Sequence, residues 1–217
     1  LQSQAFSSGR EAIWDGFTIQ NGAAGSGAGA YLNNYVTLSN CNIVSNAATM
    51  FGGGVYINST GGTAKVNLTK CTITDNSASM GGGACDRIGA TYSNCCICNN
   101  TATTKGGGLY LYNNTEPTFK NCIFANNTAK EAGGMYARGK FTAYICNFVM
   151  NLATESIGGV YHEERHNKYY NCIIWGNVAN GQPSQTDGVS DYGYCAVQGG
   201  VEGTENMTVE EYRKAAC

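Results

Sequence analysis

Apolar and polar residues alternate along short stretches of this chain, as in Val36-Thr37-Leu38-Ser39, Val66-Asn67-Leu68-Thr69 and Cys41-Asn42-Ile43. A period of two over a few residues marks a half-buried β-strand. Long 3.6-residue periodicity, which a helical repeat would need, is missing. Gly, Asn and Ser punctuate the strands every few residues, so each is short and ends in a bend.

The strands recur in register. Cys41, Cys71, Cys95, Cys122, Cys146 and Cys172 are separated by 30, 24, 27, 24 and 26 residues. Two residues after them stand Ile43, Ile73, Ile97, Phe124, Phe148 and Ile174. Five after stand Asn46, Asn76, Asn100, Asn127, Asn151 and Asn177, and seven after stands Ala in every copy. Phe17 and Ile19 begin a degenerate earlier copy. A glycine cluster ends each unit, its last members being Gly29, Gly54, Gly83, Gly108, Gly134 and Gly159. Tyr31, Tyr56, Cys85, Tyr110, Tyr136 and Tyr161 follow two residues later. Length variation falls mainly between this column and the next cysteine, most of all from Tyr56 to Cys71, where loops should protrude.

A period of this size makes each repeat one turn of a solenoid. Three short strands per turn predict an all-β chain wound as a parallel β-helix of seven to eight turns. Stacked at about 4.8 Å, they give a rod roughly 35 Å long. The Cys and Ile columns share a face, most simply the interior. Asn40, Asn94, Asn121 and Asn171 precede the cysteine and suit a bend, where stacked amides would satisfy one another; Lys70 and Ile145 interrupt that column. The repeat accounts for residues 1–205. Residues 206–217 form a cap or tail, in which Thr208-Val209-Glu210-Glu211 fits a capping box opening a short helix.

Composition narrows the function. The 217 residues carry a net charge of −2 with 13% charged side chains, unlike a nucleic-acid binder. No apolar run is long enough to span a membrane. Leu1 stands where a Met would start a nascent chain, close to a repeat, which points to a processed chain or a fragment of a longer one. Of eleven cysteines, the six column members have near-parallel Cβ vectors, poor geometry for disulfides, and are expected as thiols. Cys85, Cys96, Cys98, Cys195 and Cys217 fall outside the column, with Cys195–Cys217 one conceivable bridge.

Candidate chemistry is sparse. His162-Glu163-Glu164-Arg165-His166 matches the zinc-protease pattern, but that chemistry needs both histidines on one helical face, and here the segment is a strand end or exposed loop. Asp86, Arg87, Arg138, Glu163, Glu164 and Arg165 lie near the tyrosine strands, on turns too far apart for a lyase or hydrolase cluster, and are expected as exposed loop charges. Cys96-x-Cys98 with Cys85 lacks a fourth soft ligand. No metal, cofactor or catalytic residue is therefore assigned. The outward pairs beside the Ile column are too irregular for ice binding. Two surfaces remain. Tyr31, Tyr56, Tyr110, Tyr136 and Tyr161 are expected to face outward as an aromatic stripe suited to sugar rings. Ile123, Ile173 and Trp175 are apolar at outward positions, a candidate partner face.

The repeated Asn-Cys-x-Ile/Phe-x-x-Asn and Gly-Gly-Gly-x-Tyr phrases, Asn171-Cys172-Ile173-Ile174-Trp175-Gly176-Asn177 and Val197-Gln198-Gly199-Gly200 resemble right-handed, single-stranded parallel β-helix repeat proteins, in particular cell-surface members from Bacteroidota-type bacteria. The resemblance spans about residues 14 to 205 and implies export to the cell surface or outer membrane. It implies no single activity, because the architecture hosts lyases, hydrolases, adhesins and spacers. The expectation is a non-catalytic surface module for binding or support, in contact with polysaccharide or a surface protein complex. A carbohydrate-active enzyme and an accessory subunit of an outer-membrane assembly are the alternatives.

Overall fold

A computed structural model describes residues 11–59, 65–164, 167–187 and 190–200. The expected helical cap, Cys217 and the tip of the loop between Tyr56 and Cys71 lie outside these residues. The described chain winds as a parallel β-solenoid of about seven turns. Each complete turn holds four strands rather than three; one turn comprises Thr91–Ser93, Cys96–Cys98, Thr101–Lys105 and Leu109–Leu111. Equivalent strands stack into sheets I to IV, in that order along a turn, with eight, eight, eight and six strands. Every pairing is parallel except the last of sheet III, where Gln182–Pro183 folds back on Val178–Ala179. The strand missing from the sequence reading is the one in sheet III. It is rich in Ser and Thr and buries little beyond one alanine per turn, such as Ala48, Ala78 or Ala102, so its alternation is faint.

The interior is built of columns, as the register predicts. Ile43 pairs with Ile73, Ile73 with Ile97, Ile97 with Phe124, Phe124 with Phe148, and Phe148 with Ile174, all fully buried. The Phe124 and Phe148 rings stack 4.7 Å apart. The six column cysteines are buried free thiols, and Cys195, equally buried, continues the column as a seventh member. The Cys172 N–H donates to the Cys195 sulfur at 3.4 Å, repeating the contacts of Cys122 with Cys146 and Cys146 with Cys172. Gly200, in place of the Asn that stands five residues after the other cysteines, disguised this copy. In the first turn Phe17 is exposed and meets Trp14 edge-on.

Three of the bends are left-handed. Between sheets I and II the residue before each cysteine has φ of 51° to 56°, at Asn40, Lys70, Asn94, Asn121, Ile145, Asn171 and Tyr194. Between II and III the residues are Ser45, Asp75, Asn99, Asn126, Met150 and Gly176; between III and IV they are Gly27, Gly52, Gly81, Gly106, Ala132 and Ile157. Asn and Gly tolerate this conformation better than other residues. The Asn before the cysteine is thus chosen chiefly by backbone geometry, although Asn121 also donates to Asn94 at 2.8 Å.

The continuous amide stack is a different column. Asn46, Asn76, Asn100, Asn127, Asn151 and Asn177 are at most 1% exposed. Each donates its side-chain N–H to the next amide oxygen at 2.9–3.1 Å, and Gln185 ends the run at 2.9 Å from Asn177. The same oxygens accept backbone N–H groups. The second N–H of each amide from Asn76 onward donates to a carbonyl of the preceding turn, as Asn127 does to Ile97 at 2.9 Å. The last glycine of each cluster packs on this ladder: a Cβ at Gly108 would lie 2.6 Å from the Gly134 oxygen and 2.9 Å from Asn127 Nδ2. Asn127→Ala would strand two buried N–H groups of Asn100 and take one donor each from the Ile97 carbonyl and the Asn151 amide oxygen. A loss of about 3 kcal/mol or more is expected in urea unfolding, against about 0.5 kcal/mol or less for a surface change such as Thr103→Ala.

Candidate functional site

The tyrosine strands of sheet IV alternate as predicted. Val55, Ala84, Leu109, Met135 and Val160 enter the core, and the tyrosines project from the opposite face. They are not an open stripe. Tyr56, Tyr110 and Tyr136 are buried and Tyr31 and Tyr161 half-buried, in a second apolar cluster outside the barrel with Cys85 and Ala132. Tyr136 stacks on Tyr110 at 5.5 Å and on Tyr161 at 4.6 Å. The cover comes from the last position of the sheet III strands, where Phe51, Met80, Lys105 and Glu131 follow one another in register. Phe51 stacks on Tyr56 at 6.0 Å and meets Tyr112 at 5.9 Å. Lys105 Nζ sits 4.3 Å above the Tyr136 ring and 3.4 Å from Glu131. A large residue just before three of the glycine clusters, Phe51, Met80 and Lys105, was the signal in the sequence for this cover.

The charged candidates serve the same scaffold. Arg87 donates to the Tyr56 hydroxyl at 3.0 Å and lies 4.2 Å over Tyr112. Arg138 Nε pairs with Glu163 at 2.8 Å, and Glu163 also accepts the Tyr136 hydroxyl at 3.0 Å. Partial burial opposes ionisation of Glu163, but Arg138 and Tyr136 outweigh it and hold the carboxyl below its usual range. Asp86 is no exposed loop charge. It occupies the inward column of Ile57 and Leu111, is fully buried, and accepts from the N–H groups of Ile88, Gly89 and Ala90 and from the Tyr92 hydroxyl. Burial pushes its carboxyl up despite those bonds. It closes the bend at residues 88–90.

His162 likewise points inward, in register with Ala137, and not into an exposed loop. Its Nε2 is 2.6 Å from the Tyr169 hydroxyl, and its Nδ1 is 3.2 Å from both Asp187 Oδ1 and Thr186 Oγ1. The ring stacks on Phe141. The zinc-protease pattern is therefore accidental: His162 lies on a strand inside the solenoid, while Arg165 and His166 lie outside the described residues. Among the described residues no cluster of three His, Cys, Asp or Glu side chains suits a metal. Cys85 is buried beside the tyrosines on sheet IV, whereas Cys96 and Cys98 stand on sheet II, so these three do not converge.

The outer face of sheet II is different. Its outward positions read Asn42/Val44, Thr72/Thr74, Cys96/Cys98, Ile123/Ala125, Asn147/Val149 and Ile173/Trp175, with no charged side chain. Towards the C-terminal turns it becomes apolar. Val149, Met150, Ile173 and Trp175 line one shallow depression. Ile123 is 40% exposed, and the flanking bends add Ile145 at 60%, Met150 at 62% and Tyr194 at 62%.

A family model described as the right-handed β-helix region matches residues 6–181. The chain is a right-handed β-helix protein. No curated protein and no solved structure matches it significantly. Membership accounts for the β-helix scaffold and is silent on a ligand. For this β-helix, the covered tyrosines act as a second core. Tyr136→Ala removes a buried ring held by two stacking partners, and a loss of about 3 kcal/mol is expected in denaturant unfolding. An exposed sugar-stacking tyrosine would cost about 0.5 kcal/mol or less.

Proposed function

We propose that this chain is a non-catalytic binding module, at the cell surface or outside the cell, that docks a protein partner on the outer face of sheet II around Ile123, Ile173 and Trp175. One observation carries the reading: exposed apolar residues stand where the backbone asks for Asn or Gly. Ile145, Met150 and Tyr194 all have φ near 55°, at corners that Asn121, Asn126 and Asn171 fill in other turns. A β-branched residue in this region costs on the order of 1–2 kcal/mol, so folding alone does not favour Ile145. All three side chains border the same uncharged face, and a contiguous exposed apolar patch marks an interaction site.

Other surfaces support the alternatives less well. Sugar contact through the tyrosine column would require displacing Phe51, Lys105 and Tyr112 from rings they already cover. Glycoside chemistry requires two carboxylates flanking a gap of sugar size, whereas Glu163 is engaged by Arg138 and Asp86 is sealed inside.

A photo-cross-linking residue at Trp175, used in the producing cell, is expected to yield one discrete protein adduct, with none from the same residue at Thr103 on sheet III. Ile145→Asn combined with Met150→Asn should weaken that adduct roughly tenfold. Ile145→Asn alone should raise stability by about 1 kcal/mol. Absence of an adduct, or one indifferent to the double substitution, would overturn the proposal; capture of glycan instead would favour a carbohydrate ligand.

A further inference from the structure

Cys96 and Cys98 are the described cysteines that the scaffold does not bury. Ile97 between them is fully buried in the core, so both sulfurs project from the outer face of sheet II and are half-buried. The other eight are at most 2% exposed. The two Sγ atoms are 2.7 Å apart, closer than ordinary non-bonded sulfurs rest. Residues two apart on a strand have Cα atoms about 6.6 Å apart, near the upper end of the range of roughly 4.4–6.8 Å that a disulfide spans. A bond across Ile97 is thus attainable without unfolding the turn. It would be strained, and strained exposed disulfides are the readily reduced ones.

We propose that Cys96 and Cys98 form a surface dithiol that closes reversibly to an intra-strand disulfide by exchange with small-molecule disulfides. In the first step the Cys96 thiolate attacks one sulfur of the small disulfide, forming a mixed disulfide and expelling one thiolate. Cys98 then gives up its proton and attacks the Cys96 sulfur, expelling the second thiolate. Two protein thiols are oxidised to one disulfide, and one small disulfide is reduced to two thiols. Small thiols reverse the sequence.

Cys96 suits the attacking role. The Cys98 thiol donating to its sulfur, opposed by partial burial, brings Cys96 down to about 7, and Cys98 is raised correspondingly. The outward neighbours in register are Thr72 and Thr74 on one side and Ile123 and Ala125 on the other. The nearby titratable groups are Asp75, at the end of the preceding sheet II strand and beside Thr74, and the buried thiol of Cys122, which opposes ionisation of Cys96. No cation among these neighbours supplies the activation, so it rests on Cys98.

The test uses the full chain with Cys217→Ser, so that the pair is read without the terminal thiol. After incubation with oxidised glutathione, the native protein is trapped with a maleimide and weighed intact. Loss of two hydrogens is expected, with both native-accessible thiols protected, no glutathione retained, and a cross-linked Cys96–Cys98 peptide on digestion. Adding Cys98→Ser should instead trap one glutathione per chain on Cys96. With Cys98 present, the initial rate should fall on the order of tenfold per pH unit below about 7, as the Cys96 thiolate is lost. Cys98→Ser lies on an outward face, and thermal unfolding checks that the fold is kept. Two thiols that stay open to maleimide after oxidation, or a wild-type pair that keeps glutathione without closing, would overturn the proposal.

Discussion

The buried asparagine ladder is the constraint on which the rest depends. A solenoid must turn its backbone inside the molecule, and that leaves N–H and C=O groups buried at the bend. Leaving such groups without partners costs about 1–3 kcal/mol each. From Asn46 to Asn177 one amide per turn meets this need, accepting from one backbone N–H and donating to a carbonyl of the turn before. The amide also donates to its neighbour, so each turn fixes the next. The last glycine of each cluster follows from it, since any side chain at Gly83, Gly108 or Gly134 would strike the ladder and the adjacent turn.

Given that ladder, the corners become a record of competing demands. Where only backbone geometry matters, the left-handed positions hold Asn or Gly. Four of the exceptions are hydrophobic residues with an environment of their own. Ala132 belongs to the tyrosine cluster, whereas Ile145, Met150 and Tyr194 give their side chains to solvent. Those three departures border the face that also carries Ile123, Ile173 and Trp175, and this convergence distinguishes sheet II from the charged rim of sheet III, with Lys105, Lys130, Glu131 and Glu155.

Much of this was legible in the residues. Register and period two placed the Cys, Ile and inward apolar columns correctly, and placed His162 at a strand end rather than on a helix. The sheet III strand escaped notice because Ser and Thr alternate with a single Ala, too little contrast for periodicity to register. Cys195 escaped because Gly200 stands where the Asn five residues on would be, although Tyr194 before it has the same left-handed φ as the other corners. Asp86 and His162 read as surface charges because polarity suggests water; their column, shared with Leu111 and Ala137, is interior.

The sequence by itself determined the solenoid, its repeat length and its core columns, because residues repeated at a fixed interval must stack and each stack must be compatible with itself. It also determined which face of each strand a residue occupies, through the pleat of the backbone. Only the tertiary structure decided what covers an outward face. Phe51, Met80 and Lys105 seal the tyrosines of sheet IV, whereas Ile123 on sheet II and Ile145 and Met150 at its corners stay exposed. Cover depends on how closely four sheets meet at their corners, a distance set by the ladder and the left-handed bends and not by any alternation along a strand.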